Sequence, residues 1–160
     1  MSEKPKAVRP KPVELRRNER KWTRPLMEAG WTAWPSILLE RQHELGLDPL
    51  DVNILLQLAK HWWEADNPPY PSKRSIAAAI GVNPRTVQRR IERMEKVGLV
   101  HRRERRDPYG GTKTNAYLFD GLIKRATPYA RQKLREIEER RKAKRTPRRR
   151  GLRLVDGGKQ

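Results

Sequence analysis

A mainly α-helical fold carrying one small β-hairpin is what this sequence predicts, on three observations. Apolar residues recur at helical spacing in successive segments, capping residues and glycines punctuate those segments, and a short basic stretch after them folds back through Gly110-Gly111. A chain of 160 residues also has the size of one domain with tails.

Met1 to Pro25 hold four prolines and nine Lys/Arg against three Glu, with few apolar residues. Such a segment cannot bury enough surface to offset the entropy of ordering, and residues 1–25 read as a flexible basic arm. Trp31 to Leu39 is apolar but interrupted by Pro35, which suits a turn or short strand followed by a helix from Ser36. Asp48 can cap and Pro49 suits a first helical position. Leu50, Ile54, Leu55, Leu58 and Trp62 then recur at helical spacing, so this helix is expected to end near Trp62.

Asn67-Pro-Pro-Tyr-Pro71 breaks the pattern, Ser72 can cap a short helix through Ile80 with Ile76, Ala77 and Ile80 inward, and Gly81 stops it. Asn83-Pro84 opens the next helix, which runs to Val97 with Val87, Ile91, Met94 and Val97 on one stripe before Gly98. A short helix, a glycine-containing three-residue turn and a longer helix make a helix-turn-helix unit. Leu99 to Arg106 and Thr112 to Phe119 read as strands around Asp107-Pro-Tyr-Gly-Gly111, a hairpin wing. The predicted fold is therefore a winged helix-turn-helix. It spans residues 26–126 with its lead-in, and a C-terminal helix over 127–144, opened by Thr127 and Pro128, and a basic tail over 145–160 follow it.

The formal net charge is +19. Residues 72–119 carry twelve Lys/Arg against four Asp/Glu and residues 131–150 eleven against three, so the folded part is basic as well as the tails. A surplus of this size, with a basic helix-turn-helix, implies a nucleic-acid partner, here double-stranded DNA. With Val87 set at zero, Arg85 and Arg89 fall near 160° and 200°, opposite the core stripe, with Thr86 and Gln88 beside them and Arg93 one turn on. These five are the expected base-reading residues. Arg donates two bonds to guanine O6 and N7, Gln pairs with adenine N6 and N7, and the Thr methyl meets that of thymine. Phosphate contacts are expected from Ser72, Lys73 and Ser75 at a helix start, and from Arg102, Arg103, Arg105, Arg106 and Lys113 on the wing. The tryptophans are expected to pack rather than stack on bases, because Trp62 and Trp63 point about 100° apart.

Other chemistries have no residues to support them. Without cysteine there is neither a disulfide nor a thiolate metal site, and His43, His61 and His101 stand singly, so no metal or cofactor is expected. No catalytic constellation, phosphate-cradling loop or small-molecule effector site is recognisable, which argues against an enzyme. No apolar run is long enough to span a bilayer, and a cytoplasmic, nucleoid-associated protein with no membrane partner is expected. Ala130, Leu134 and Ile137 form a narrow stripe through which two copies could pair as a homodimer.

The stretches Tyr70 to Ile91, Met94 to Arg103 and Asn115-Ala-Tyr-Leu118, with Trp34 to Leu39 before them, resemble the bacterial helix-turn-helix domains of plasmid and phage replication initiators and of small regulators on mobile elements. The likeness runs over Leu47 to Ile123. It implies a winged-helix fold, a sequence-specific DNA partner, and either transcriptional control or replication-origin binding. Because an initiator would carry further domains, the resemblance leans toward a stand-alone transcriptional regulator encoded on a bacterial chromosome or mobile element. A plasmid or phage replication-initiation protein and a nucleoid-like DNA-coating protein are the alternatives.

Overall fold

Capping chemistry decides where the central helices begin. In the computed structural model, which describes residues 12–145, α4 (Pro49–Ala59) starts behind Asp48, α5 (Lys73–Ile80) behind Ser72 and α6 (Pro84–Lys96) behind Asn83. Each cap residue has extended backbone, and its side chain accepts a hydrogen bond from an amide of the first turn. Ahead of them lie α1 (Pro12–Trp22), α2 (Arg24–Ala29) and α3 (Ser36–Glu40). After α6 come β1 (His101–Arg106), β2 (Thr112–Leu118) and α7 (Asp120–Arg145). This is a winged helix-turn-helix fold: mainly helical, with a two-stranded antiparallel hairpin.

One core serves all the central elements. Ile54, Leu55 and Leu58 of α4 meet Ile76 and Ala77 of α5 and Val87, Ile91 and Met94 of α6, and the floor is Leu99, Val100, Tyr117 and Phe119. Trp62 stacks on Phe119 at 5.1 Å and Trp63 meets Trp31 edge-on at 6.3 Å, so these aromatics are packing residues. Trp62 lies beyond the helix expected to reach it, because α4 ends at Ala59.

The hairpin pairs His101 with Leu118 and Arg106 with Thr112, with a bulge between Arg103 and Arg105. The Tyr117 amide donates to the Pro69 carbonyl at 2.8 Å, which ties the segment before α5 to the hairpin.

Two differences from expectation stand at the ends. Within the arm expected to be flexible over residues 1–25, Pro12–Trp22 is helical, and a second helix, Arg24–Ala29, opens at its end and buries Met27 in the lead-in beyond it. No proline falls between Pro12 and Pro25, and both sit in the first turn of a helix, where the missing N–H costs nothing. Residues 1–11 and the 146–160 part of the expected tail lie outside the described residues.

The C-terminal helix starts at Asp120, not Thr127. Thr127 is inside it, its hydroxyl donating to the Ile123 carbonyl at 2.6 Å, and Pro128 interrupts only one backbone bond. The reason for the early start is tertiary. Leu122 and Ala126 are buried, and the Leu122 amide donates to the Leu99 carbonyl at 2.8 Å.

That docking leaves no room at Gly121, where a Cβ would collide with the Gly98 carbonyl oxygen. Gly121→Ala is expected to destabilise the chain by roughly 1–3 kcal/mol in urea unfolding. Leu134→Ala, on the exposed side of the same helix, should stay within about 0.5 kcal/mol.

Candidate nucleic-acid interface

The turn between α5 and α6 sets the angle of the second helix. Gly81 closes α5 in the left-handed region (φ 79°), and the Asn83 carboxamide oxygen accepts from the Arg85 amide at 2.8 Å. Val87, Ile91 and Met94 are buried, so α6 has one possible outward face. Arg85 and Arg89 lie on it, exposed, with no ion-pair partner among the described residues. Lys96 extends the same face by two turns.

Thr86 is half-buried beside Arg85. Gln88 is tied on both sides: its amide NH2 donates to Glu92 at 2.9 Å, and its carbonyl accepts from Lys73 at 3.5 Å, a link from α6 to α5. Contact between Gln88 and a base therefore requires it to leave Glu92.

Arg93 is not with Arg85 and Arg89. Its guanidinium reaches Asp51 at 2.5 Å and donates to the Gly46 carbonyl at 2.8 Å. Arg90 bonds Asp48 and lies 3.6 Å from the second Asp51 oxygen. The same two carboxylates form the capping box of α4. Asp48 accepts from the Leu50 and Asp51 amides at 2.9 and 3.0 Å, and Asp51 accepts from the Asp48 amide at 3.1 Å. Asp51 is fully buried, a charged side chain inside the core that two arginines of α6 compensate. Burial works against ionisation of Asp48, but the Asp51 amide and the Arg90 guanidinium outweigh it and hold the carboxyl below its ordinary range.

On the helical wheel Arg90 falls at about −60°, on the flank of the stripe, whereas Arg93, at about −120°, is only some 40° from Arg89, so periodicity does not separate Arg93 from the outward arginines; its bond to Asp51 does.

The start of α5 divides in the same way. Ser72 Oγ accepts from the Ser75 amide at 3.0 Å and Ser75 Oγ donates to the Ser72 carbonyl at 2.8 Å, so both hydroxyls serve the cap. Lys73 is half-buried at the link to Gln88. Arg74, absent from the expected set, is exposed and unpaired among the described residues. Its signal was its place beside Lys73 in a helix first turn.

On the wing, Arg102 is bound to Glu95 at 2.5 Å, and its hydrogen bond holds the Glu95 carboxyl below the usual range against partial burial. Arg105 lies over the Tyr70 ring, 3.7 Å from its centroid. Arg103 and Lys113 are exposed and unpaired among the described residues, and Arg106 keeps only a 3.5 Å pair with Glu104, both side chains open to solvent. Two of the four wing arginines thus fasten the hairpin to the body, and the cations left open to solvent are Arg103, Arg106 and Lys113.

Asp51→Ala should lower stability by roughly 1–3 kcal/mol, the half-exposed arginines softening the loss of a buried partner. The check is equilibrium unfolding at neutral pH.

The Glu95 pair has a pH signature. The folded carboxyl titrates below the unfolded one, so its contribution is full above the unfolded pKa of about 4.3 and is lost as pH falls through the folded value. The stability gap between wild type and Glu95→Gln should accordingly be open at pH 7 and narrow progressively as pH falls below the unfolded carboxyl's range; a gap unchanged by acid would contradict the assignment.

Residues 45–100 match the model of a family described as a helix-turn-helix domain. No curated protein matches the chain. Among solved structures, the N-terminal domain of DnaD protein from Geobacillus kaustophilus HTA426 is similar at 16% identity. That match covers 77% of this chain and 96% of that one, with a TM-score of 0.51. A possible transcriptional regulator from Methanosarcina mazei Go1 is similar at 15% identity over 64% of this chain and 82% of that one, with a TM-score of 0.38. The likeness to the DnaD domain is one of fold. Residues 45–100 form the helix-turn-helix unit that this match describes, completed into a winged fold by the hairpin at 101–118.

Proposed function

We propose that this chain is a sequence-specific double-stranded DNA-binding protein that acts as a transcriptional regulator by occupying an operator. The observation that carries the reading is the division of the α6 arginines. Arg90 and Arg93 are engaged by Asp48 and Asp51, while Arg85 and Arg89 stand without an ion-pair partner among the described residues on the outward face of a helix whose orientation those ion pairs hold.

In this reading α6 enters the major groove and Arg85 and Arg89 donate to guanine edges, with Thr86 and a released Gln88 beside them. Lys73 and Arg74 meet the phosphates at the start of α5, and Arg103, Arg106 and Lys113 follow the flanking backbone. Arg93, Arg102 and Arg105 act indirectly, by holding the reading helix and the wing in place.

The protein works by binding alone, without a cofactor, in the cytoplasm. Two copies joined through the exposed Leu134 of α7 would read half-sites one helical turn, about 34 Å, apart. Among the described residues no helix is long and apolar enough to cross a membrane.

A second reading, a DNA-coating protein with little sequence preference, is favoured by the row of exposed cations on the far half of α7, Arg135, Arg140 and Arg141 among them. Fluorescence-anisotropy titration against selected and random duplexes at two salt concentrations separates the two. Arg85→Ala with Arg89→Ala should cost the preference for the selected duplex at least about tenfold per contact. Arg103→Ala should weaken every duplex alike and lower the salt slope by about one. Equal binding of all duplexes by the wild type would overturn the regulator reading in favour of coating.

A further inference from the structure

A cleft opens where the end of α4 meets the segment that leads into α5. It measures about 570 Å3, within the range of sites that take small molecules. Gln57, Lys60 and His61, spaced three and four residues apart at and just beyond the end of α4, all line it. Trp63, Asn67 and Tyr70 line it from the connecting segment, and Ile76 from α5.

A basic side chain at a helix C-terminus is ordinary, because it offsets the partial negative charge there. That does not account for the lining as a whole. The side chains of Gln57, Lys60, His61 and Asn67 have neither a hydrogen-bond nor an ion-pair partner among the described residues. Glu64 and Asp66 of the same segment are exposed and do not line the cleft, so among the described residues its walls carry no acidic group.

The walls are also stiff. Pro69 and Pro71 fix the backbone on either side of Tyr70, and the Pro69 carbonyl accepts from the Tyr117 amide at 2.8 Å. Trp63 is set edge-on against Trp31 at 6.3 Å. A cleft shaped in advance binds without the cost of ordering its own side.

The chemistry of the lining selects the occupant. Trp63 and Tyr70 offer ring surface to a planar molecule, Lys60 offers a charge to an anionic group, and the carboxamides of Gln57 and Asn67 both donate and accept. We propose that this cleft is a binding site for a small planar aromatic anion, a ring system carrying one carboxylate or phosphate that pairs with Lys60 while the rings of Trp63 and Tyr70 flank it. The site stands apart from the DNA-binding reading but shares a wall with the wing, because the Tyr70 ring also carries the Arg105 guanidinium at 3.7 Å. An occupant against Tyr70 therefore alters the surroundings of an arginine that fastens β1.

The imidazole supplies a second signature. Burial and, after it, the Lys60 charge hold His61 below its ordinary pKa, whereas an anion in the cleft favours the protonated form and raises it. Lys60 and Tyr70 are the other titratable groups on the walls, with Arg105 the charge beyond Tyr70. A group whose pKa is higher in the complex takes up protons on binding, so affinity rises as pH falls through the bound value and levels off below the free one.

Two-dimensional NMR titration of the full chain without DNA tests the site with four probes. Indole-3-carboxylate and adenosine monophosphate are the ring anions, indole is the ring alone, and inorganic phosphate is the anion alone. At least one ring anion should saturably shift the side-chain amide signals of Gln57 and Asn67, the indole N–H of Trp63 and the Nε–H of Arg105. It should bind about three- to fivefold more tightly than indole or phosphate, and the better of the two tells whether the charged group is a carboxylate or a phosphate.

Lys60→Gln should erase the advantage of the ring anion and leave indole binding unchanged. With the carboxylate, which stays ionised between pH 8 and pH 6, wild type should bind more tightly at the lower pH and His61→Gln should not. Lys60 and His61 are exposed, so neither variant disturbs the core. Absence of saturable shifts with both ring anions would overturn the proposal. So would indole or phosphate binding as tightly as either ring anion, or ring-anion affinity unchanged in Lys60→Gln. None of these outcomes bears on the DNA-binding reading, since no duplex is present.

Discussion

A carboxylate buried in the core organises this molecule. Asp51 sits fully inside the domain, accepts from the amide of the residue that caps its own helix, and is paired with two arginines that approach from α6, Arg93 lying forty-two residues away in sequence. A charge in that position is tolerable only while its partners are in place. The need for compensation therefore works as an orientation constraint on α6. Apolar packing of Val87, Ile91 and Met94 brings α6 against the core, but burial of a stripe is non-directional and allows the helix to slide or turn by some degrees. Ion pairs with defined oxygen atoms reduce that freedom.

The consequence is a division of labour among like residues. Of five arginines and lysines on α6, Arg90 and Arg93 are structural, and Arg85, Arg89 and Lys96 remain available to solvent or a partner. The wing repeats the pattern, with Arg102 and Arg105 turned inward to Glu95 and Tyr70 and the cations nearer the tip left free. A net charge of +19 is thus a poor guide to how much charge faces a ligand. Each inward arginine lowers the unspecific attraction to polyanions while stiffening the surface that carries the rest, a trade that favours discrimination over raw affinity.

How much of this was legible in the sequence follows from the range of the interactions. Helix starts at Asp48-Pro49, Ser72 and Asn83-Pro84 are governed by bonds within three residues, and the cap types alone locate them. The hairpin and its turn are likewise local. Interactions across the fold were not legible. The inward roles of Arg93, Arg102 and Arg105 depend on Asp51, Glu95 and Tyr70, which become neighbours only when the helices and hairpin pack. The early start of α7 depends on Leu122 docking against Leu99, and the Thr127-Pro128 pair, an ordinary helix opening by its chemistry, was overridden by that contact. The helix over Pro12–Trp22 was masked by the composition of the whole arm, whose prolines cluster outside it or at helix starts.

The account turns on which arginines meet DNA, and side-chain NMR of the arginine Nε–Hε groups, titrated with a selected duplex, observes that directly. The signals of Arg85 and Arg89 should shift on binding, while those of Arg90 and Arg93 stay where the Asp48 and Asp51 pairs put them. Movement of Arg90 and Arg93 with Arg85 and Arg89 unmoved would mean that the buried ion pairs open to supply the contacts, and would contradict the claim that they exist to hold the reading helix.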